Sequence, residues 1–317
     1  MTDVFVDHLF SALGERTCHV TESAAAGLTL SSADDLAAAG FVHHHVCSPG
    51  TTAYDLAARA VQPVRAVLDD VDAIVYATCL PHNGNVDNRP GTRCGERDVK
   101  HLMRFPASLL QCELGLDGAF VLGINQQACT GMLGSLRVAR ALLTAEEDLG
   151  ALLCLTSDRF PEGYAYEQAY NLISDGAAGG VVSRRPGGFA ILACHQLTNG
   201  AMVSASDDET VGSYFTYTHQ LIATTMAKAG LHPRDLDWVV PQNTHDKAWQ
   251  IMARLLHLDP ERIYAPTLPE AGHVISGDNI LNLQRLVESG DVRRGDRVLL
   301  VMAGYGMNWQ ATLLERV

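Results

Sequence analysis

The chain has 317 residues, 47% of them hydrophobic and 19% charged, enough to bury a large core as two domains or one duplicated domain. A formal charge of −13, with Arg184–Arg185 and Arg293–Arg294 as its only adjacent arginine pairs, excludes the dense basic surface that nucleic acid requires. No apolar run approaches the roughly 20 residues that span a bilayer, and the N-terminal MTDVFVDHLF is acidic where a secretory signal is basic, so a cytoplasmic protein without membrane contact is expected.

Short runs rich in Val, Ile and Leu alternate with longer helical patterns, the signature of an α/β protein built around a buried sheet. His43, His44 and His45 are read as a polar loop before Pro49–Gly50; with no CxxC or HExxH elsewhere, no metal site is expected. TTAYDLAARAVQPVRAVL predicts a helix kinked at Pro63, followed by the buried strand DAIVYATCL. Residues 81–97, PHNGNVDNRPGTRCGER, carry turn formers and no apolar period and are read as a long excursion serving as a lid or a partner contact. Next come the helix FPASLLQCELGL, the strand AFVLGIN, an elbow at Cys129, the strand GALLCLTSD and the glycine-rich SDGAAGGVVSRR, read as a turn into a further strand.

After Pro186–Gly188 the alternation starts again. It runs through the strand GFAILACHQL, the helix SYFTYTHQLIATTMAKAGL, the strand LDWVVPQN, the helices THDKAWQIMARLLHL and DNILNLQRLVESG, and a closing strand pair from Asp296. The similar order predicts two halves, 1–185 and 186–317. No Walker loop and no GxGxxG after a strand is present, which removes the usual nucleotide readings.

Eight cysteines lie mostly in apolar segments and are read as reduced thiols. Cys129 stands apart. The apolar period Met132, Leu133, Leu136, Ala139, Leu142, Leu143 begins just after it, so its sulfur falls at a strand-to-helix elbow. Unpaired N–H groups there favour a thiolate, and the Cys129 N–H itself can donate to an oxyanion.

FPASLLQCELGL, ACTGMLGSLRVA, SDGAAGGVV, WVVPQN, AGHVISGDNI and GYGMNW, in this order and at these separations, resemble the ketoacyl-synthase III family. The resemblance implies a thiolase-like duplicated α/β fold, five layers αβαβα with two mixed sheets. It implies that Cys129 accepts an acyl group from acyl-coenzyme A or an acyl carrier protein, with no cofactor beyond the coenzyme A or phosphopantetheine of that donor. The loop Gly304–Tyr305–Gly306 matches the segment that supplies the second oxyanion N–H, although Tyr305 breaks the family's tighter glycine run. A homodimer joined through the N-terminal half-sheets is also implied, with 81–97 near the partner's pocket.

Two positions depart from the malonyl-condensing members of that family. Those members carry a histidine after the VVP proline and an asparagine after the later glycine, where this chain has Gln242 and His273. His273 with Asp278, five residues on, is similar to the Cys–His–Asp site of ketosynthase-III-like acyltransferases of the cervimycin malonyl transferase type. His245, one turn beyond Gln242, stands as the alternative base, and Asp278 also suits the first turn of its helix. Lys247 matches a basic residue near the family's pantetheine channel.

The expected activity is ping-pong acyl transfer to a small-molecule O, N or C nucleophile in polyketide-type secondary metabolism. A carbon–carbon condensing enzyme and a non-catalytic ketosynthase partner subunit are the alternatives. Met103, Phe105, Phe160, Tyr164 and Phe215 are the side chains whose facing would set pocket depth.

Overall fold

The computed structural model describes residues 3–86, 98–168, 171–305 and 307–317. Most of the 81–97 excursion, Cys94 and Gly306 therefore lie outside the described residues. The first half contains β1 (Phe5–Leu13), β2 (Arg16–His19), α1 (Val20–Ala25), α2 (Ala33–Ala38), β3 (His43–Val46), α3 (Ala53–Val61), β4 (Ala73–Ala77), α4 (Pro106–Leu114), β5 (Phe120–Ile124), α5 (Gly131–Ala145), β6 (Ala151–Asp158), β7 (Glu167–Gln168), β8 (Asn171–Leu172) and β9 (Gly176–Ser183). The second contains β10 (Phe189–Thr198), α6 (Asp207–Lys228), β11 (Trp238–Pro241), α7 (Asp246–Leu256), α8 (Leu268–Ala271), α9 (Asp278–Ser289), β12 (Arg297–Gly304) and β13 (Asn308–Arg316).

Nine strands form a mixed sheet in the order β11-β12-β13-β10-β1-β9-β6-β4-β5. The expected two sheets meet at a narrow seam, where β1 and β10 pair only through Phe5↔Ala190 and Val6↔Phe189. Hydrogen bonding thus joins them into one ladder.

Layering follows from which faces are apolar. Helices α5 and α9 bury Met132, Leu133, Leu136, Ile280, Leu283 and Leu286 in a core shared with strands of both halves, including Val75, Leu152, Val298 and Leu300. Helices α3 and α4 cover the other face of the first-half strands through Leu56, Ala57 and Leu110. On the second half, α6 and α7 cover the outer face through Leu221, Met226, Met252 and Leu256. The result is the five-layer thiolase-like arrangement, helix–sheet–helix–sheet–helix. Among the described residues no helix is long and apolar enough to cross a membrane.

Three local expectations are corrected. Helix α3 ends at Val61 and a 3₁₀ turn, Gln62–Val67, carries the chain past Pro63, because proline lacks the N–H that an α-turn needs. The triple histidine is strand β3, paired with β2. His44 is fully buried between Ser23 Oγ and the Ile173 carbonyl, each at 2.7 Å, and burial lowers its pKa, so the imidazole is a neutral structural link.

Residues 176–183 are strand throughout, and their glycines answer to close packing. A Cβ on Gly179 would lie 2.3 Å from the Cys154 carbonyl oxygen and 2.5 Å from Phe10 Cζ. Gly179→Ala is therefore expected to cost ~1–3 kcal/mol in denaturant unfolding, because the obstructing atoms are backbone and a packed ring.

Candidate active site

The turn Ala128–Thr130 lies between β5 and α5, with Ala128 at φ 46°, a left-handed conformation that a non-glycine residue rarely adopts. Thr130 ties the elbow together through its N–H and hydroxyl, both donating to the Gln127 carbonyl at 3.1 and 2.7 Å. Cys129 is consequently fixed at the entrance to α5, with 4% of its surface exposed.

The histidine reaches that sulfur from the other half. Gly272, at φ 59°, turns the chain out of α8 so closely that an added Cβ would sit 2.7 Å from the Leu172 carbonyl oxygen. The backbone of His273 then donates to Leu172 O at 2.7 Å and accepts from Ser174 N–H at 2.9 Å, which stitches the second half to the first.

His273 Nδ1 meets Asp278 Oδ2 at 2.5 Å, which leaves the other ring nitrogen for the hydrogen bond to Cys129. Asp278, wholly buried at the first residue of α9, also accepts the N–H groups of Val274 at 2.6 Å and Asn243 at 2.8 Å. Asn243 is held in turn by Thr267, the Gly272 carbonyl and Asn282.

Electrostatics follow this geometry. The hydrogen bond from Cys79, whose sulfur lies 3.9 Å away, holds the Cys129 thiol well below its ordinary pKa. Burial opposes the shift, and His273 and the Tyr305 N–H reinforce it. Burial also disfavours the His273 cation, but the charge and hydrogen bond of Asp278, with those of Cys129, outweigh it and raise His273 to about 10. For Asp278 burial dominates and raises the pKa, partly offset by His273 and by the two backbone donors. Both shifts run toward a thiolate beside an imidazolium.

Gly304 closes the site from β12. A Cβ there would lie 3.0 Å from the Cys129 nitrogen and 3.2 Å from Ala128 Cβ, so only glycine lets the strand end come this near the elbow. The next residue, Tyr305, then aims its N–H at the sulfur. Gln242 steadies the same stretch: its Oε1 accepts the Ala303 N–H at 2.5 Å while its own N–H donates to Val301 O at 3.0 Å. Gly304→Ala, which must push these segments apart by a few tenths of an ångström, is expected to slow acylation of Cys129 about 10-fold with the fold intact, measured by quenched-flow mass analysis.

Cys129 and His273 open onto a cavity of about 460 Å³ between the halves. Gln242, His245, Lys247 and Phe215 line it, together with Tyr214, Trp309, Asn171 and Thr244. His245 is the N-cap of α7, its Nδ1 accepting the Lys247 N–H at 3.2 Å, and it stands at the cavity wall while His273 holds the sulfur. Lys247 is exposed. Of the side chains named for pocket depth only Phe215 lines this cavity; Met103, Phe105 and Tyr164 are exposed, and Phe160 packs against the central core. Gly306 lies outside the described residues. Sequence reasoning missed Cys79 and Asn243. Each earns its place through contacts made across tens of residues, and the sequence around Cys79 resembles any buried strand end.

These features define an α/β protein of thiolase-like fold with a cysteine, a histidine and a carboxylate at the junction of its halves. Residues 226–316 match the model of the 3-oxoacyl-[acyl-carrier-protein] synthase III C-terminal region. The β-ketoacyl-[acyl-carrier-protein] synthase III of Chlamydia caviae is 23% identical over 311 residues, covering 88% of this chain and 87% of that protein. The solved 3-oxoacyl-[acyl-carrier-protein] synthase III of Aquifex aeolicus superposes with a TM-score of 0.80 at 18% identity, over 98% of this chain and 99% of that one. ChlB3, described as an acyltransferase, superposes equally well, at 0.80 and 20% identity over 99% and 98% of the two chains. The C-terminal part of the chain thus matches the model of that family, and the chain as a whole shares the fold of the solved synthase III structures.

Proposed function

We propose that the protein is an acyltransferase that loads an acyl group from acyl-coenzyme A or an acyl carrier protein onto Cys129 and passes it to a small-molecule nucleophile. The observation that carries this reading is the His273–Asp278 pair at 2.5 Å, hydrogen-bonded to Cys129 where malonyl-condensing relatives are expected to present asparagine.

In the first half-reaction the Cys129 thiolate attacks the thioester carbonyl, and the oxyanion accepts from the N–H groups of Cys129 and Tyr305. Collapse expels the donor thiolate, which takes the proton of His273. The neutral imidazole, oriented by Asp278, then removes a proton from the acceptor as it attacks the acyl-enzyme. Expulsion of the Cys129 thiolate returns the site to its starting charge state. Gln242 serves as a positioning residue through Ala303, and His245 and Lys247 flank the entry of the donor's pantetheine and phosphate groups. Polyketide-type secondary metabolism suits such transfer. A homodimer joined through β5 belongs to the same proposal, because β5 is an outer edge of the sheet and Phe120 on it is 40% exposed.

Incubation with malonyl-coenzyme A and a panel of nucleophiles tests the assignment. Acyl transfer without carbon dioxide release is the expected result; release of carbon dioxide coupled to carbon–carbon bond formation would assign the protein to the condensing enzymes instead.

A further inference from the structure

We propose that Cys79 and Cys129 form a site of reversible oxidative modification, a dithiol that hydrogen peroxide closes to a disulfide across the mouth of α5. The two sulfurs are 3.9 Å apart, and among the described residues this is the one thiol–thiol contact. Both thiols are free, as are those of Cys18, Cys47, Cys112, Cys154 and Cys194.

The contact is built from two fixed supports. Cys79 follows β4, and its N–H donates to Asp158 Oδ2 at 2.8 Å. The same carboxylate accepts Leu80 N–H at 3.0 Å and Asn83 Nδ2 at 2.9 Å, so the segment carrying Cys79 is pinned at three points between residues 79 and 83. Cys129 is pinned by the elbow already described. Forming the disulfide requires this 3.9 Å gap to close to an S–S bond of ~2.05 Å. Peroxide reaches Cys129 through the cavity it lines.

The chemistry balances without a further reactant. The Cys129 thiolate attacks one peroxide oxygen, the O–O bond breaks, and Cys129 becomes a sulfenic acid while the departing hydroxide takes the His273 proton and leaves as water. Cys79 then attacks the sulfenic sulfur; the S–S bond forms, the S–O bond breaks, and the proton of Cys79 leaves with the hydroxide as water. Two thiols are oxidised by two electrons in all, and one peroxide is reduced to two waters. Division of labour between the sulfurs fits this order. Cys129 holds the negative charge and reacts first, while the hydrogen bond to Cys129, burial and that charge keep Cys79 protonated. Formation of the sulfenic acid removes the Cys129 charge that opposes ionisation of Cys79. Because an over-oxidised Cys129 is beyond rescue by thiols, Cys79 preserves the nucleophile by trapping it at the first, reversible step.

Peptide mapping of the full chain after treatment with a small excess of hydrogen peroxide and alkylation with N-ethylmaleimide tests this. The expected product is a Cys79–Cys129 linked peptide pair, lighter by two hydrogens than its parts, that dithiothreitol separates. Cys79→Ser should instead carry sulfinic acid on Cys129 that dithiothreitol leaves unchanged, and Cys129→Ser should leave Cys79 open to alkylation. Sulfinic acid on Cys129 of the wild-type chain with Cys79 alkylated, or equal reversibility in Cys79→Ser, would overturn the proposal. The readout is the cross-link itself, so its failure is separate from any failure of acyl transfer, which is read from the adduct on Cys129.

Discussion

His273→Ala is expected to lower the rate of Cys129 acylation by ~10²–10⁴-fold and to change the pH dependence of the thiol as well as its rate. In the wild-type chain the thiol pKa is depressed, so the thiolate is present above that low value. Alkylation by iodoacetamide should therefore be flat through neutrality and up to about pH 10, where His273 gives up its proton. Removal of the imidazole takes away a hydrogen bond and a positive charge while burial of the sulfur, which favours the neutral thiol, remains. The reactivity of His273→Ala should then rise with pH, its midpoint moving up toward the ordinary thiol value of about 8.5. An unchanged plateau in a folded variant would show that Cys79 and the Tyr305 N–H ionise Cys129 without help, and His273 would lose its place in the first step.

Asp278→Asn should have the second largest effect, for a reason that separates orientation from charge. The carboxylate accepts three donors, from His273, Val274 and Asn243, and an amide of the same shape has a single oxygen. Whichever way it turns, its NH₂ faces a donor, and one buried backbone N–H is left without an acceptor at a cost of ~1–3 kcal/mol. The imidazolium also loses its counter-charge. Overall transfer is expected to fall by ~10²–10⁴-fold, with the alkaline limb of the rate profile moving to lower pH as the His273 pKa drops. A purely structural aspartate would lower the unfolding midpoint and leave that limb in place.

Much of this arrangement is legible before any coordinates. The elbow at Cys129 follows from a strand running into an apolar helical period, and the resemblance of AGHVISGDNI to an acyltransferase pattern brings forward His273 and Asp278 as a pair. Their spacing suits the geometry, because a chain that turns at Gly272 and starts α9 at Asp278 folds the carboxylate back under the imidazole. What escapes the sequence depends on partners distant in the chain. Nothing near His44 announces that Ser23 and Ile173 will enclose it, so a triple histidine reads as a loop. Glycines at 176–183 suggest a turn until the Phe10 ring and the β6 backbone are seen pressing on them. Cys79 likewise looks like any apolar strand end; only the fold sets it beside Cys129.

In the proposed reaction the two halves divide one chemical task. The first would supply the nucleophile at a helix entrance. The second would supply the base, the carboxylate and the strand end at Gly304, and the His273 backbone is hydrogen-bonded into the first half so that the ring and the sulfur meet. Gln242 adds a device of its own, since its carbonyl oxygen is committed to Ala303 and its amide hydrogens remain for the cavity side.

A single-turnover experiment with excess protein over an acyl-coenzyme A donor reads the whole sequence of events at its first covalent step. Free coenzyme A should appear in a burst matched one for one by an acyl group on the peptide bearing Cys129, and both should vanish in Cys129→Ser. If no donor in a broad panel leaves a group on that sulfur, or if coenzyme A is released while the acyl group sits elsewhere, a thiol ionised beside an imidazole is not what this fold uses to capture its substrate.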